Sequence, residues 1–215
     1  MSQCQCREME SVFDRTLAED ELARDRRRGP RRTTRLLLEA IRAQGVNGRT
    51  LLDIGGGVGT IQHQLLADGA KEAVDVDASS AYLAVASREA RRLGFQERVS
   101  YHHGNFVELA PSLRKADIVT LDRVICCFDE VEALVEASAK KARRLYGLVY
   151  PVDAWWTRLY AAALNFIRRL RRDEFRFFAH PTDLVESILA AHGLRRVVRR
   201  GWGLWQVALF AKAAP

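Results

Sequence analysis

The chain lacks several features that would narrow its class at once. Among its 215 residues no apolar run is long enough to cross a bilayer, which takes about 20 such residues in a helix. The first ten residues, MSQCQCREME, hold no apolar stretch of the kind a secretory signal needs, and a cytoplasmic protein is expected. Cysteine is scarce. Its four residues form two close pairs, Cys4/Cys6 and Cys126/Cys127, without a CxxC spacing. They offer no four-ligand zinc site, no metal is expected, and free thiols in a reducing compartment fit best. Cys4 and Cys6 are expected in a mobile terminus, Cys126 and Cys127 as packing residues after a strand. Internal repeats and low-complexity stretches are also missing.

What is present is a globular balance, 48% hydrophobic and 28% charged. The length favours one domain and suffices for a sizeable core. The net charge of +7 comes from 34 Lys and Arg against 27 Asp and Glu. Much of the excess is local: Arg26, Arg27, Arg28, Arg31 and Arg32; Arg168, Arg169, Arg171 and Arg172; Arg195, Arg196, Arg199 and Arg200. Such clusters can meet nucleic acid, an acidic substrate or a membrane, but a solvated face is the leading reading.

Residues 1–30 read as a helical extension and 31–215 as one domain. In the extension, Met9, Val12, Phe13, Leu17 and Leu22 mark a weak amphipathic helix over 7–25, ended by Gly29–Pro30. A second helix is expected over 31–43, burying Leu36, Leu37, Leu38 and Ile41. Strands at 50–54, 72–76, 99–102, 118–121 and 147–150 then alternate with helices at 59–68, 81–93 and 131–144. That alternation argues for an α/β fold, a parallel sheet covered on both faces, with ligands at the carboxyl ends of its strands. After Pro151 the rhythm breaks. Residues 153–172 form a basic amphipathic helix inserted after the fifth strand, followed by a strand at 174–178 and a helix at 182–191. Strands at 194–198 and 205–211 are close enough in sequence to form a hairpin with an antiparallel edge.

The most informative segment is Leu51-Leu52-Asp53-Ile54-Gly55-Gly56-Gly57-Val58-Gly59-Thr60. It closes a strand and opens a helix, where a backbone loop must approach a ligand and a side chain would block it or forbid its dihedrals. The dinucleotide pattern G-x-G-x-x-G fails, because Thr60 stands where its third glycine should be, and no P-loop lysine follows. Asp53, two residues before the first glycine, would repel a pyrophosphate but suits a cationic ligand with an ammonium and a sulfonium. The next strand ends in Val74-Asp75-Val76-Asp77-Ala78-Ser79. Asp77, 24 positions after Asp53, can accept from both hydroxyls of a ribose, each bond to the charged group contributing about 1.5–3 kcal/mol. Asp75 is expected to face the opposite side.

LDIGGGVGT, then VDVDAS, then HHGNF, then ADIVTLDRV resemble the first four motifs of the class I S-adenosylmethionine-dependent methyltransferases, in order and at usual spacing. The resemblance covers roughly residues 35–150. It implies a Rossmann-like, doubly wound sheet of about seven strands, mostly parallel, with an antiparallel C-terminal strand. It also implies S-adenosyl-L-methionine as cofactor, with S-adenosyl-L-homocysteine as product. Asp53 with Gly55, Gly56, Gly57 and Gly59 would hold the methionine part, Asp77 and Ala78 the ribose, Asn105 and Phe106 the adenine. Asp122 would lie beside the reacting methyl. Gly104-Asn105 departs from the usual Gly-Asp, and an asparagine oxygen accepts without charge assistance. LDRVICCFDE, VYP and FFAHP add a fainter resemblance to the magnesium-protoporphyrin O-methyltransferases over 117–190.

If the acceptor arrives protonated a base is required, and His180, before Pro181 at the end of an expected strand, is the candidate, though a structural role weighs equally. Structural roles are expected for His102 and His103, and Arg123 is expected to pair with Asp122. The aromatic face of helix 153–172 reads as a lid over a lipophilic acceptor or as plain core, ahead of an interfacial helix on an anionic membrane. A small aromatic or lipophilic acceptor leads. A nucleic-acid methyltransferase is second: it is prompted by the arginines, but LDRV lacks the (N/D/S)PPY pattern and no RNA-binding domain is visible. A non-catalytic binding module that keeps the fold is third.

Overall fold

The computed structural model describes residues 9–10, 12–171 and 175–212. Cys4 and Cys6 lie outside the described residues, as do Arg172 and Glu174. Seven strands form one sheet: β1 (Thr50–Ile54), β2 (Glu72–Asp77), β3 (Val99–His103), β4 (Ala116–Asp122), β5 (Ala142–Pro151), β6 (Leu194–Trp202) and β7 (Trp205–Lys212). Their order is β3-β2-β1-β4-β5-β7-β6. β1 to β5 are parallel, whereas β7 runs antiparallel to both β5 and β6. The β6–β7 hairpin is therefore formed as expected, with β7 inside and β6 at the edge.

Among the described residues the helices that accompany the sheet include α1 (Arg15–Arg28), α2 (Arg32–Arg42), α3 (Thr60–Ala67), α4 (Ser80–Arg92), α5 (Phe106–Leu109), α6 (Val131–Ala139), α7 (Trp155–Leu170) and α8 (Thr182–Ala191). On one face Leu37, Leu38 and Ile41 of α2 and Leu65 of α3 pack on Leu51, Ile118, Val149 and Leu209. On the other, Phe106, Leu134, Val135, Val185 and Leu189 pack on Leu52, Val119, Leu121 and Phe210. Burial on both sides explains why the central strands read as unbroken apolar runs rather than as alternating ones. The edge strand β6 exposes most of its residues, including Arg195, Arg196, Arg199 and Arg200. Charge on an edge hinders further strand pairing.

Four sequence expectations need correction. The helix expected over 7–25 breaks at Phe13–Asp14, where the Asp14 carboxylate accepts from Leu17 N (2.8 Å) and caps a new helix that runs on to Arg28. The helix expected over 131–144 stops at Ala139, and β5 already begins at Ala142. Residues 175–178 form no strand. The Phe177 N–H and C=O bond the Asn165 side chain of α7 (both 2.8 Å) and Phe178 N–H bonds the Cys126 carbonyl (2.7 Å), so the backbone is satisfied without a sheet partner. Asp75 shares a strand face with Asp77, since residues two apart on a strand point the same way.

Candidate active site

The carboxyl ends of β1, β2 and β4 open on a cavity of about 500 Å³. Its floor is the turn after β1. Gly55, Gly57 and Gly59 have φ of 63°, 60° and 81°, a region that side-chain-bearing residues rarely enter. Gly56 is fixed by crowding instead: a Cβ there would sit 2.5 Å from an Asp75 carboxylate oxygen. Asp75 thus lies beneath the loop and accepts from Gln62 Nε2 (2.7 Å). Burial, followed by the nearby Asp53 and Asp77 charges, pushes its pKa well above the carboxylate range.

The glycine turn and the carboxylate that closes β2 are in direct contact. Gly57 N donates to Asp77 Oδ2 (3.1 Å), while Ser79 N donates to Asp77 Oδ1 (2.8 Å). Each carboxylate oxygen has a further lone pair, and Asp77 lines the cavity. Asp53 is fully buried, and Thr120 Oγ1 donates to its Oδ1 (2.7 Å). Its Oδ2 has no hydrogen-bond partner among the described residues. Burial raises its pKa to about 7, opposed by the Thr120 bond and assisted by Asp122 and Asp77. An orphaned acceptor inside a cluster of acids is the environment a cationic group would relieve, so an ammonium and a sulfonium fit these residues.

Eight of the ten residues singled out for the cofactor line the cavity: Asp53, Gly55, Gly56, Gly57, Asp77, Ala78, Phe106 and Asp122. Gly59 does not; it precedes α3, with its φ of 81°. Asn105 does not either. Its Oδ1 accepts from Val107 N (3.0 Å) and caps α5, while its Nδ2 donates to Glu108 Oε1 (3.0 Å). His180 lies away from the cavity, and Phe178 stacks on its ring at 5.6 Å. Its Nε2 faces the carbonyls of Ile125 (3.0 Å) and Phe128 (2.8 Å), so that nitrogen carries a proton and donates. Burial lowers its pKa, leaving a neutral ring.

Asp122, at the end of β4, is held in a knot. Its carboxylate accepts from Thr34 Oγ1 and from Arg123 Nε (2.9 Å), and Arg123 Nη2 also donates to Thr34 Oγ1 (3.2 Å). The pairing expected for Arg123 is present. Arg123 is also, among the described residues, the one non-glycine with positive φ, at 62°.

The roof of the cavity was not anticipated. The sequence reads helix 153–172 as a lid or as plain core, and no residue of α7 lines the cavity. Met9, Phe13, Leu17, Glu21 and Arg24, from α1 and the turn before it, do so together with Arg31 and Thr34. Phe13 meets the Tyr82 ring edge-on at 5.8 Å, Ser79 Oγ donates to the Phe13 carbonyl (2.6 Å), and Tyr82 OH donates to Glu21 (3.1 Å). His103 Nε2 lies 2.7 Å from Glu10, and Thr60 Oγ1 donates to Asp25. The apolar periodicity of α1 signalled a face needing cover; nothing in the sequence says where that face docks.

Fold and site together define a class, and comparison with known proteins agrees. Residues 51–145 match the family described as "Methyltransferase domain", a stretch from β1 into β5 that carries the glycine turn, Asp77 and Asp122. Over that stretch the chain is similar to the S-adenosylmethionine-dependent methyltransferases, and the residues lining the cavity fit such a cofactor. Among solved structures it is similar to magnesium protoporphyrin IX methyltransferase from Synechocystis with bound S-adenosylhomocysteine, at TM-score 0.66 and 16% identity over 84% of this chain and 82% of that one. An O-methyltransferase family 2 protein from Planctomyces limnophilus in complex with apigenin aligns at TM-score 0.61 and 17% identity, over 86% and 63%. A putative RNA methyltransferase from Pyrococcus horikoshii aligns at 0.61 and 15%, over 85% and 84%. Identities this low show a shared fold alone. No curated protein matches the chain. None of the described helices is long and apolar enough to cross a membrane, and the described residues contain no metal-binding cluster.

Proposed function

We propose that the chain transfers a methyl group to a small acceptor with a largely apolar body. The observation carrying this reading is the roof: α1 and α2 cover the strand ends, and an acceptor must fit beneath Met9, Phe13 and Leu17. A chamber of about 500 Å³ suits a small molecule better than a folded nucleic acid. The arginine clusters that prompted an RNA reading are also partly neutralised. Arg26 pairs with Glu89, Arg31 with Glu21 (3.1 Å), Arg196 with Glu186 and Arg200 with Glu39 (3.6 Å).

In this reading Asp77 accepts from the ribose hydroxyls, Ala78 and Phe106 flank the nucleoside, and Asp53 Oδ2 accepts from the ammonium of the methionine part. The cofactor supplies an electrophilic methyl carbon on a sulfonium. The protein aligns the acceptor and excludes water, and proximity of this kind can supply about 7–11 kcal/mol. Asp122, braced by Thr34 and Arg123, positions the acceptor end of the cavity. His180 is assigned to the fold, because its donating nitrogen is spent on two carbonyls. A methyl-donor turnover assay over phenols, quinones, porphyrins, amines and an RNA pool, with Asp77→Ala as the blank, tests the reading. Turnover on a small acceptor supports it. Turnover on RNA alone sinks it.

A further inference from the structure

The helix that does not roof the site carries an apolar face that none of the described residues covers. α7 buries only Thr157 and Ala161, and is tied down by the Asn165 bonds to Phe177 and by contacts with Cys126, Cys127 and Phe177. Apart from Leu164, its large apolar residues point the other way. Trp155, Leu159, Phe166 and Leu170 are 76%, 63%, 62% and 70% exposed. At about 100° per residue these four fall within an arc of about 60°, a continuous stripe. Trp156, Tyr160 and Ile167 widen it on one side. Exposed apolar residues scattered singly need no explanation, but a stripe of this size marks a contact.

The charges bordering the stripe say what kind. No acidic residue occurs anywhere in α7. On the same helical projection the exposed Arg158 and Arg169 flank the stripe on one side and Arg171 on the other. Arg158 pairs with Asp153 (2.6 Å); neither Arg169 nor Arg171 has an ion-pair partner among the described residues. Tryptophan and leucine on one face with arginine along both margins is the pattern of a helix lying in a lipid interface, its rings among the acyl chains and its guanidinium groups at the phosphates.

We infer that α7 is a membrane-surface helix that docks this protein on an anionic lipid bilayer. The inference is independent of the acceptor's identity. The face lies outside the cavity, so docking would leave the methyl-transfer site intact.

Flotation of the full chain with phosphatidylcholine vesicles, with and without 30% phosphatidylglycerol, tests it. The chain is expected to float with the anionic vesicles at low salt, to be released by high salt, and to show blue-shifted tryptophan emission when bound. Leu159→Glu and Phe166→Glu, at exposed positions where folding is untouched, should each weaken binding about tenfold or more. Val197→Glu, at an exposed apolar residue of β6, should bind as the parent does. Circular dichroism checks that all three variants are folded. Absence of flotation, equal binding to neutral vesicles, or undiminished binding by both α7 variants would overturn the inference. So would a dimer, seen by analytical ultracentrifugation, that these substitutions dissociate in a chain that ignores vesicles; the stripe would then join two copies.

Discussion

α1 and α7 are both arginine-rich amphipathic helices outside the parallel core, and they use their apolar faces in opposite ways. α1 buries Ala18 and Leu22 against Tyr82 and Val85, and the segment before it folds Phe13 over the strand ends. Its polar residues are paired along the way, Glu21 with Tyr82 and Arg31, Arg26 with Glu89, Asp25 with Thr60. α7, with far the larger aromatic content, keeps most of that content in solvent, though Tyr160 meets Phe177 edge-on at 6.2 Å. Amphipathicity states that a face needs a neighbour, and only the surrounding polar pairs decide whether the neighbour belongs to the same chain. For α1 those pairs exist on α3 and α4; for α7 the anchoring contacts, Asn165 with Phe177 and Arg168 over the Phe175 ring (4.7 Å), hold the opposite face.

The contrast breaks most visibly at the floor beneath α1. On the proposed reading, Asp77→Ala deletes two charge-assisted bonds to a ribose, so affinity for S-adenosylhomocysteine should fall about 100-fold or more by calorimetry. An unchanged affinity would mean that the roofed cavity is not the cofactor site, and α1 would lose its assigned meaning as a cover.

Next in size is a pH effect at Asp53. Its folded pKa is about 7, above the ordinary carboxylate value, because it is buried. Below pH 7 the empty site holds it protonated, and an ammonium favours the ionised form, so binding must expel a proton. Affinity should therefore weaken as pH falls from 7 to 5.5, by up to about tenfold per unit, a range in which an α-amino group stays charged. Asp53→Asn should bind weakly and lose the part of the slope that belongs to this residue. A flat profile in the parent would place the ammonium elsewhere.

The roof itself is tested by Phe13→Ala, which removes a ring that meets both Tyr82 and Phe175 edge-on. Cofactor affinity should drop several-fold, and the dissociation rate should rise more than the association rate falls, because a cover mainly slows escape. Leu159→Ala on α7 should change neither rate. Equal effects from the two would erase the distinction between a helix that covers the site and one that does not.

These residues also mark how far the sequence alone could reach. The parallel sheet was legible because strand and helix periods alternate cleanly from Thr50 to Val135, and the floor because glycines at positive φ leave a spacing that survives in the text. Asp75 was misplaced by an error of alternation, and what it does, filling the space under Gly56, depends on register. Asn105 is read as an adenine contact, and the structure adds that its oxygen accepts from Val107 N, a local cap invisible without the φ of the turn. The strand at 174–178 failed because Asn165, ten residues before Phe175, satisfies its backbone. The roof failed for a broader reason. Two amphipathic helices competed for one site, and the choice was made by pairs between residues 60 or more positions apart, such as Glu21 with Tyr82 and Arg26 with Glu89.

That last pair supplies the smallest effect. Glu89 is buried and accepts from Arg92 on its own helix and from Arg26 on α1; the Arg92 bond first, against the cost of burial, and then the Arg26 bond hold its pKa near 2. An acid depressed on folding stabilises the native state above its unfolded value of about 4.3, and that contribution is lost as pH falls through about 2. Both arginines are about half exposed, which screens the attraction, so Glu89→Gln should cost about 1–2 kcal/mol at pH 7 in urea unfolding and almost nothing at pH 2. On α7 the exposed Arg169 has no such partner among the described residues, and Arg169→Gln should leave stability within about 0.5 kcal/mol at either pH. If the two substitutions cost the same at pH 7, α1 is held by its apolar contacts alone and its charges are as dispensable to folding as those of α7.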